Sequence, residues 1–263
     1  MNERYLEFAE EIAAKAKEIM LGYYGYKIDS SYKVDRTIVT KADKEINHYL
    51  IERVKQEFPT HSVDGEEEKM RGSDYVWVCD PVDGTAMYAR HIPVAVFSLA
   101  LVVNGEPTVG VICDPFNNRI YSAIKGGGAY VNKTPIHVNN VALEDKGCIG
   151  NYDMWSLSGY DIYDCMRELS KKTYYTSIGS VARACTCVAA GEYSVVIFPG
   201  TKGKNCDVAA AKVIIEEAGG KVTDLFGNEQ RYDKDINGII ASNGIVHDEV
   251  VRVMREKVRD MEE

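Results

Sequence analysis

The chain has 263 residues, enough to bury a sizeable core, and carries a formal net charge of −9 from 31 basic and 40 acidic side chains. That balance argues against a general nucleic-acid surface, which needs clustered Lys and Arg, and no apolar run approaches the ~18 residues that span a bilayer. Seven cysteines, an odd number without paired spacing, suit reduced thiols in a cytoplasmic protein.

Residues 3–22 place Leu6, Ala9, Ile12, Ala13, Ala16, Ile19 and Met20 on one face at helical spacing, which predicts an amphipathic helix and not a signal peptide. A second helix is expected from Lys41 to Phe58, with Ile46, Leu50 and Val54 four apart, Thr40-Lys41-Ala42-Asp43 as a capping box and Pro59 beyond its end. After an extended His61-Ser62-Val63 comes Gly65-Glu66-Glu67-Glu68, an acidic run whose plain reading is a solvated face. Tyr75-Val76-Trp77-Val78-Cys79 reads as a buried strand. From Val94 to Val131 the pattern predicts a meander, divided by an Asn104-Gly105 hairpin and a turn at Asp114-Pro115-Phe116-Asn117. Gly126–Gly128 lies between strand signals and lacks a following Gly-Lys-Ser/Thr, so it reads as a hairpin turn and not a phosphate loop.

Beyond about residue 145 strands are expected near Ile149, Ser194–Phe198, Lys221–Thr223 and Gly238–Ser242. Helices alternate with them near Asp161–Ser170, Ser180–Ala190, Asp207–Ala218 and His247–Met261. Residues 1–145 thus read as an α+β half and 146–263 as an α/β half, packed as one unit with no low-complexity linker.

The most informative stretch is Asp80-Pro81-Val82-Asp83-Gly84-Thr85, directly after the buried strand. Pro81 lacks an N–H, so the sheet ladder cannot simply continue. Two carboxylates three positions apart then face a shared point, with the Gly84 and Thr85 amides left open beside them. Carboxylates hold hard divalent cations, and open amides at a helix start hold phosphate. A phosphate beside bare carboxylates meets about 4 kcal/mol of repulsion per unit-charge pair at 4 Å and an effective dielectric near 20, so a phosphate site here must also be a cation site. Asp207 opens Asp207-Val208-Ala209-Ala210-Ala211, where an N-cap is the plain role, and Gly219 suits a helix stop.

Taken together and in order, Val39-Thr40-Lys41-Ala42-Asp43, Gly65-Glu66-Glu67, Asp80 to Thr85, the Lys125–Asn132 turn and Asp207 to Gly219-Gly220 resemble the inositol monophosphatase superfamily over nearly the whole chain. The resemblance implies a layered αβαβα sandwich of the sugar-phosphatase type and a magnesium-dependent, lithium-sensitive phosphomonoesterase, expected as a homodimer. It assigns Glu66, Asp80 and the Val82 carbonyl to one magnesium and Asp80, Asp83 and Asp207 to a second, with a third, weaker ion leaning on Glu66. Gly84 and Thr85 amides would receive phosphate oxygens, Thr85 and Asp43 would orient or deprotonate the attacking water, and no covalent phosphoenzyme would form. Gly179, Ser180 and Val181 would line the alcohol side.

Two departures bear on the substrate. Cys206 stands where the family usually has Trp, and Phe198 stands near the position of the polyol-contacting Glu. Lys202 and Lys204 in Thr201-Lys202-Gly203-Lys204, together with Arg183, are candidates for a second phosphate. The resemblance, to archaeal-type members that act on both, implies inositol monophosphate and fructose 1,6-bisphosphate as substrates, and the loop would suit the latter. NADP or adenosine 3′,5′-bisphosphate is the alternative within the family, and an inactive phosphate-ester binder on the same scaffold is the alternative outside enzymes. The aspartyl-phosphate phosphatases need D-x-D spacing, which Asp80 and Asp83 do not have.

Overall fold

The computed structural model describes residues 2–25, 28–33, 37–70, 73–153 and 159–260. Helix α1 (Asn2–Tyr23) leads to a ribbon of β1 (Ser30–Tyr32) and β2 (Ile38–Thr40), and α2 (Lys41–Glu57) follows. Next come β3 (Ser62–Gly65), β4 (Lys69–Met70), β5 (Tyr75–Asp83), the one-turn helix α3 (Thr85–Tyr88), β6 (Val96–Val103), β7 (Glu106–Asp114), β8 (Arg119–Ile124), β9 (Ala129–Val131) and β10 (Thr134–Pro135). Their strands form one sheet in the order β10-β9-β8-β7-β6-β5-β3-β4, antiparallel throughout except for β3 beside β5.

The rest of the chain supplies β11 (Ile149–Tyr152), β12 (Tyr160–Asp161), α4 (Tyr163–Leu169), β13 (Tyr174–Thr176), α5 (Val181–Ala189), β14 (Val195–Phe198), α6 (Asn205–Glu217), β15 (Lys221–Thr223), β16 (Ile239–Ser242), α7 (His247–Lys257) and β17 (Arg259–Asp260). A second, mixed sheet runs β13-β11-β14-β16-β15, with parallel pairs only around β11.

Strand alternation shows how the layers stack, because successive side chains leave a strand on opposite faces. On β5 and β6, Trp77, Cys79, Phe97, Leu99 and Leu101 join the core under α1 and α2, while Val78, Val96, Ala100 and Val102 join the core shared with α5 and α6. On the second sheet Val196, Phe198, Ile239 and Ala241 face α5 and α6, and Val195, Ile197 and Ile240 face α4 and α7. The order is therefore helices, sheet, helices, sheet, helices. Burial on both faces explains why β5 and β6 read as unbroken apolar runs instead of alternating ones.

The N-terminal helix buries the predicted face except for half-exposed Leu6, and adds Tyr5 and Phe8, whose rings lie 5.2 and 5.0 Å from Phe58. Asn104 and Gly105 adopt φ of 54° and 89°, as a tight hairpin turn requires. Gly126 and Gly128 do form a hairpin turn, and their amides donate to the Glu217 carboxylate at 2.6 and 2.8 Å. The last helix stops at Lys257, short of the expected Met261, because Val258 turns extended and Arg259–Asp260 pair with Tyr160–Asp161. Of that expectation, Met261 itself lies outside the described residues.

Helix α6 lies directly on β7 at Gly110. A Cβ there would sit 2.5 Å from Val213 Cγ1 and 2.6 Å from the Ala210 carbonyl oxygen, so only glycine lets the helix that carries Asp207 seat against the sheet. Gly110→Ala should lower the unfolding free energy by about 1–3 kcal/mol, read as a reduced urea midpoint. An unchanged midpoint would contradict this seating.

Candidate active site

Strand β5 does not end at Pro81. Asp80 pairs with Ser98 and Asp83 with Val96, so Pro81 and Val82 together lie opposite Phe97 alone. The missing N–H is thus absorbed by a bulge, which redirects the strand and turns both carboxylates to one side. Both are buried, and Asp80 Oδ1 accepts from the Val82 amide at 2.9 Å. Gly84 then reverses the chain at φ +86°, where a Cβ would lie 3.0 Å from Ser180 Cβ and 3.1 Å from the Gly179 carbonyl oxygen. The α3 turn closes on the Gly84 carbonyl, which accepts from the Met87 and Tyr88 amides, so the Gly84 and Thr85 amides stand ahead of the first turn.

Three other elements, α2, β3 and α6, converge on this point. Asp43, in the first turn of α2, is fully buried and accepts the Thr40 amide at 2.8 Å and the Thr40 hydroxyl, the capping role that the sequence suggests. Its other oxygen lies 3.3 Å from Thr85 Oγ1, which donates to the Val82 carbonyl at 2.7 Å. Glu66 follows β3, and its amide donates to the Cys79 carbonyl at 3.2 Å, next to Asp80. Asp207 sits in the first turn of α6, not at its start, because the helix begins at Asn205 with Lys204 in the N-cap position.

Donor atoms gather in two sets whose members all lie within 4.8 Å of one another: Asp80, Cys206 and Asp207 in one, Asp43, Glu66 and Glu67 in the other. Asp83 belongs to neither; its Oδ2 accepts from the Ser180 hydroxyl and, at 2.9 Å, from the Ala182 amide. Two ammonium groups hold the acids. Lys204 Nζ is 3.2 Å from Asp207 Oδ2, and Lys33 Nζ is 3.0 Å from Glu66 Oε1 and 2.6 Å from Glu67 Oε1.

The electrostatics follow from crowding. Burial first, then Glu66, Asp207 and Asp83, pushes the Asp80 carboxyl well above its usual range. Burial and Asp207 raise Asp83 to about 7 despite the Ser180 and Ala182 donors. Burial, opposed by the Thr40 bonds and reinforced by Glu66 and Glu67, takes Asp43 to about 7. Burial also raises Asp207 although Lys204 opposes it, and the Cys206 thiol is pushed up by burial and by Asp207 and Asp80.

On the expected alcohol side, Gly179 has φ +78° and a Cβ there would meet Met87 at 2.9 Å; Ser180 caps α5 by accepting the Arg183 amide, and the Val181 side chain is buried in the core between the sheets. Arg183 spends its guanidinium on Asp114 Oδ2 at 3.2 Å, Thr186 Oγ1 and Cys187 Sγ. Lys202 is exposed at the loop tip. Phe198 is buried between the sheets against Gly200. Sequence reasoning missed Lys33, Glu67 and Asn47. Asn47 lies one turn past Asp43, donates to the Glu68 carbonyl at 3.4 Å and fills the space over Gly65, where a Cβ would lie 2.0 Å from its Oδ1. Its spacing of four from Asp43 was the available signal; Lys33, in a loop, offered none.

The donor set suits hard dications. Buried carboxylates and a backbone carbonyl are the ligands magnesium takes, and the acids gathered here outnumber the Lys33 and Lys204 ammonium groups that hold them. The layered fold and this pocket define the class as a metal-dependent phosphatase. Residues 1–259 match the model of the Inositol monophosphatase family. A protein named fructose-1,6-bisphosphatase/inositol-1-monophosphatase from Thermotoga maritima is 32% identical over 262 residues, 97% of this chain and 98% of that one. Its namesake from Aquifex aeolicus is also 32% identical, with 96% of each chain covered. A solved structure described as a Thermotoga maritima IMPase has a TM-score of 0.85 at 30% identity, covering 97% of this chain and 98% of that one. The chain belongs to the inositol monophosphatase family, and it is a phosphoric monoester hydrolase. Among the described residues, no helix is long and apolar enough to cross a membrane.

Asp43 and Asp83 hold their protons from the ordinary 3.8 up to about 7 in the folded chain. Groups raised in this way contribute stability that is full below the unfolded value and is lost as pH rises through the folded one. In chelator, stability of the wild type relative to Asp43→Asn should therefore fall as pH rises from about 4 to about 7, measured by urea unfolding. Parallel curves for the two proteins would show that the Asp43 carboxyl is not perturbed.

Proposed function

We propose that the protein is a magnesium-dependent phosphomonoesterase acting on small polyol or sugar phosphates, with inositol monophosphate and fructose 1,6-bisphosphate as its substrates. The observation that carries this reading is the Asp43–Thr85 contact at 3.3 Å beside the converging carboxylates of β5 and α6. The printed names of the Thermotoga maritima and Aquifex aeolicus relatives support the pair of substrates.

Glu66, Asp80 and the Val82 carbonyl would hold one ion, and Asp80, Asp83 and Asp207 a second, with a third leaning on Glu66. Bound magnesium supplies the positive charge that admits a phosphate dianion and acidifies a nearby water. The chain's own residues do the rest. Thr85 orients the water through its hydroxyl and passes a proton to the Asp43 carboxylate 3.3 Å away, which serves as the general base. The open Gly84 and Thr85 amides receive phosphate oxygens, and the Gly179–Val181 backbone faces the departing alcohol. Lys202 and Lys204 meet a second phosphate where the substrate has one. Arg183, turned to Asp114, acts by fixing the start of α5, whose Ala182 amide holds Asp83. A homodimer completes the proposal.

Magnesium-dependent phosphate release should be measured on inositol monophosphates, fructose 1,6-bisphosphate, NADP and adenosine 3′,5′-bisphosphate. Turnover should be highest on the first two. Asp43→Asn should lower kcat by about 10²–10⁴-fold with folding intact, and Lys202→Ala should raise KM for the bisphosphate more than for the monophosphate. No turnover across the panel would favour a binding protein instead, and a nearly normal Asp43→Asn would retire the base.

A further inference from the structure

Among the described residues, Cys206 is the one sulfur in the two donor sets at the site. The first turn of α6 sets it next to Asp207, with its Sγ 3.2 Å from Asp207 Oδ1 and 3.3 Å from the Gly203 carbonyl oxygen, and Asp80 completes the group from β5. All three residues are at least 95% buried, and their donor atoms lie within 4.8 Å of one another. Around a tetrahedral dication with metal–sulfur and metal–oxygen bonds of about 2.3 and 2.0–2.2 Å the ligand atoms stand about 3.4–3.6 Å apart, so the three donors close by about 1 Å at most as the ion binds. The pocket already holds a cation at this spot, the Lys204 ammonium on Asp207 Oδ2, whose side chain is 24% exposed.

We propose that Asp80, Cys206 and Asp207 form a binding site for a thiophilic dication, zinc or cadmium, that competes with magnesium for the same two carboxylates. As the ion enters, the Cys206 S–H bond breaks, its proton goes to solvent, and the thiolate forms the metal–sulfur bond. Two carboxylates and one thiolate then face the charge of the dication, and the soft sulfur selects against magnesium, which prefers oxygen. A tryptophan at this position would offer no donor, so the trait belongs to chains with cysteine here. The soft ion occupies Asp80 and Asp207 without completing the all-oxygen site, so it inhibits the phosphatase instead of supporting it. Only this competition rests on the magnesium reading.

The test is cadmium titration of the full-length, chelator-stripped protein, followed by the ultraviolet thiolate-to-cadmium charge-transfer band. One cadmium per chain should bind, Cys206→Ser should lose the band and bind cadmium at least tenfold more weakly, and Cys187→Ser should match the wild type. Asp80→Asn keeps the sulfur and should also weaken binding at least tenfold, which covers the case of a poorly folded Cys206→Ser. A band that survives in Cys206→Ser, or no band in the wild type, overturns the inference. Excess magnesium should raise the apparent cadmium Kd. A band insensitive to magnesium overturns the competition and counts against the magnesium site, whereas absence of the band alongside magnesium-dependent phosphate release overturns the cadmium site alone.

Discussion

Repulsion among buried carboxylates is the constraint on which this structure turns. Asp80, Asp83 and Asp207 are all at least 95% buried, and burial first, then neighbouring acids (Glu66, Asp207 and Asp83 on Asp80, Asp207 on Asp83, Glu66 on Asp207), raises the proton affinity of each. Each unit-charge pair costs on the order of 4 kcal/mol at 4 Å and an effective dielectric near 20. A free loop would relieve that cost by moving apart. These residues cannot, because Asp80 and Asp83 sit on a central strand and Asp207 on a helix clamped between two sheets. The stress is met by the Lys33 and Lys204 ammonium groups, and it leaves the pocket receptive to dications.

The layers make this possible. Helices α5 and α6 are covered on both sides, which explains why α6 is rich in Ala and Val and buries Asn205 through Ile215 without a polar face. Its one cation inside that run, Lys212, is satisfied by Glu216, Glu229 and the Val222 carbonyl at 2.6–3.0 Å. Close backbone approach at Gly110 and the hairpin clamp of Glu217 on Gly126 and Gly128 fix the helix against the first sheet at its middle and at its C-terminal end. A helix so held presents Asp207 and Cys206 to Asp80 with little freedom, and that is what lets neighbouring residues from remote parts of the chain act as one donor set.

Much of this was legible in the sequence. Helical spacing in residues 3–22 and the capping pattern before Asp43 reflect local geometry, and so does the Asn104-Gly105 turn; each was readable because the cause lies within a few residues. The Asp80–Thr85 motif was legible for the same reason: Pro81 forces an irregularity and Gly84 a positive φ, whatever surrounds them. Boundaries set by partners were not. The start of α6 at Asn205 and the end of α7 at Lys257 depend on packing and on pairing with β12.

The sequence by itself determined which residues carry charge, where the chain must turn, and that its elements alternate as an α/β protein with an acidic motif after a buried strand. Tertiary structure alone decided which charges meet: Lys33 bridging Glu66 and Glu67, Arg183 drawn to Asp114, Asn47 packed over Gly65, and Cys206 joining Asp80 and Asp207. The reason is range. Backbone preference acts over a few residues and is written locally, whereas electrostatic and donor-set relations act through space between segments remote in the chain, and they exist only once sheets and helices have fixed the distances.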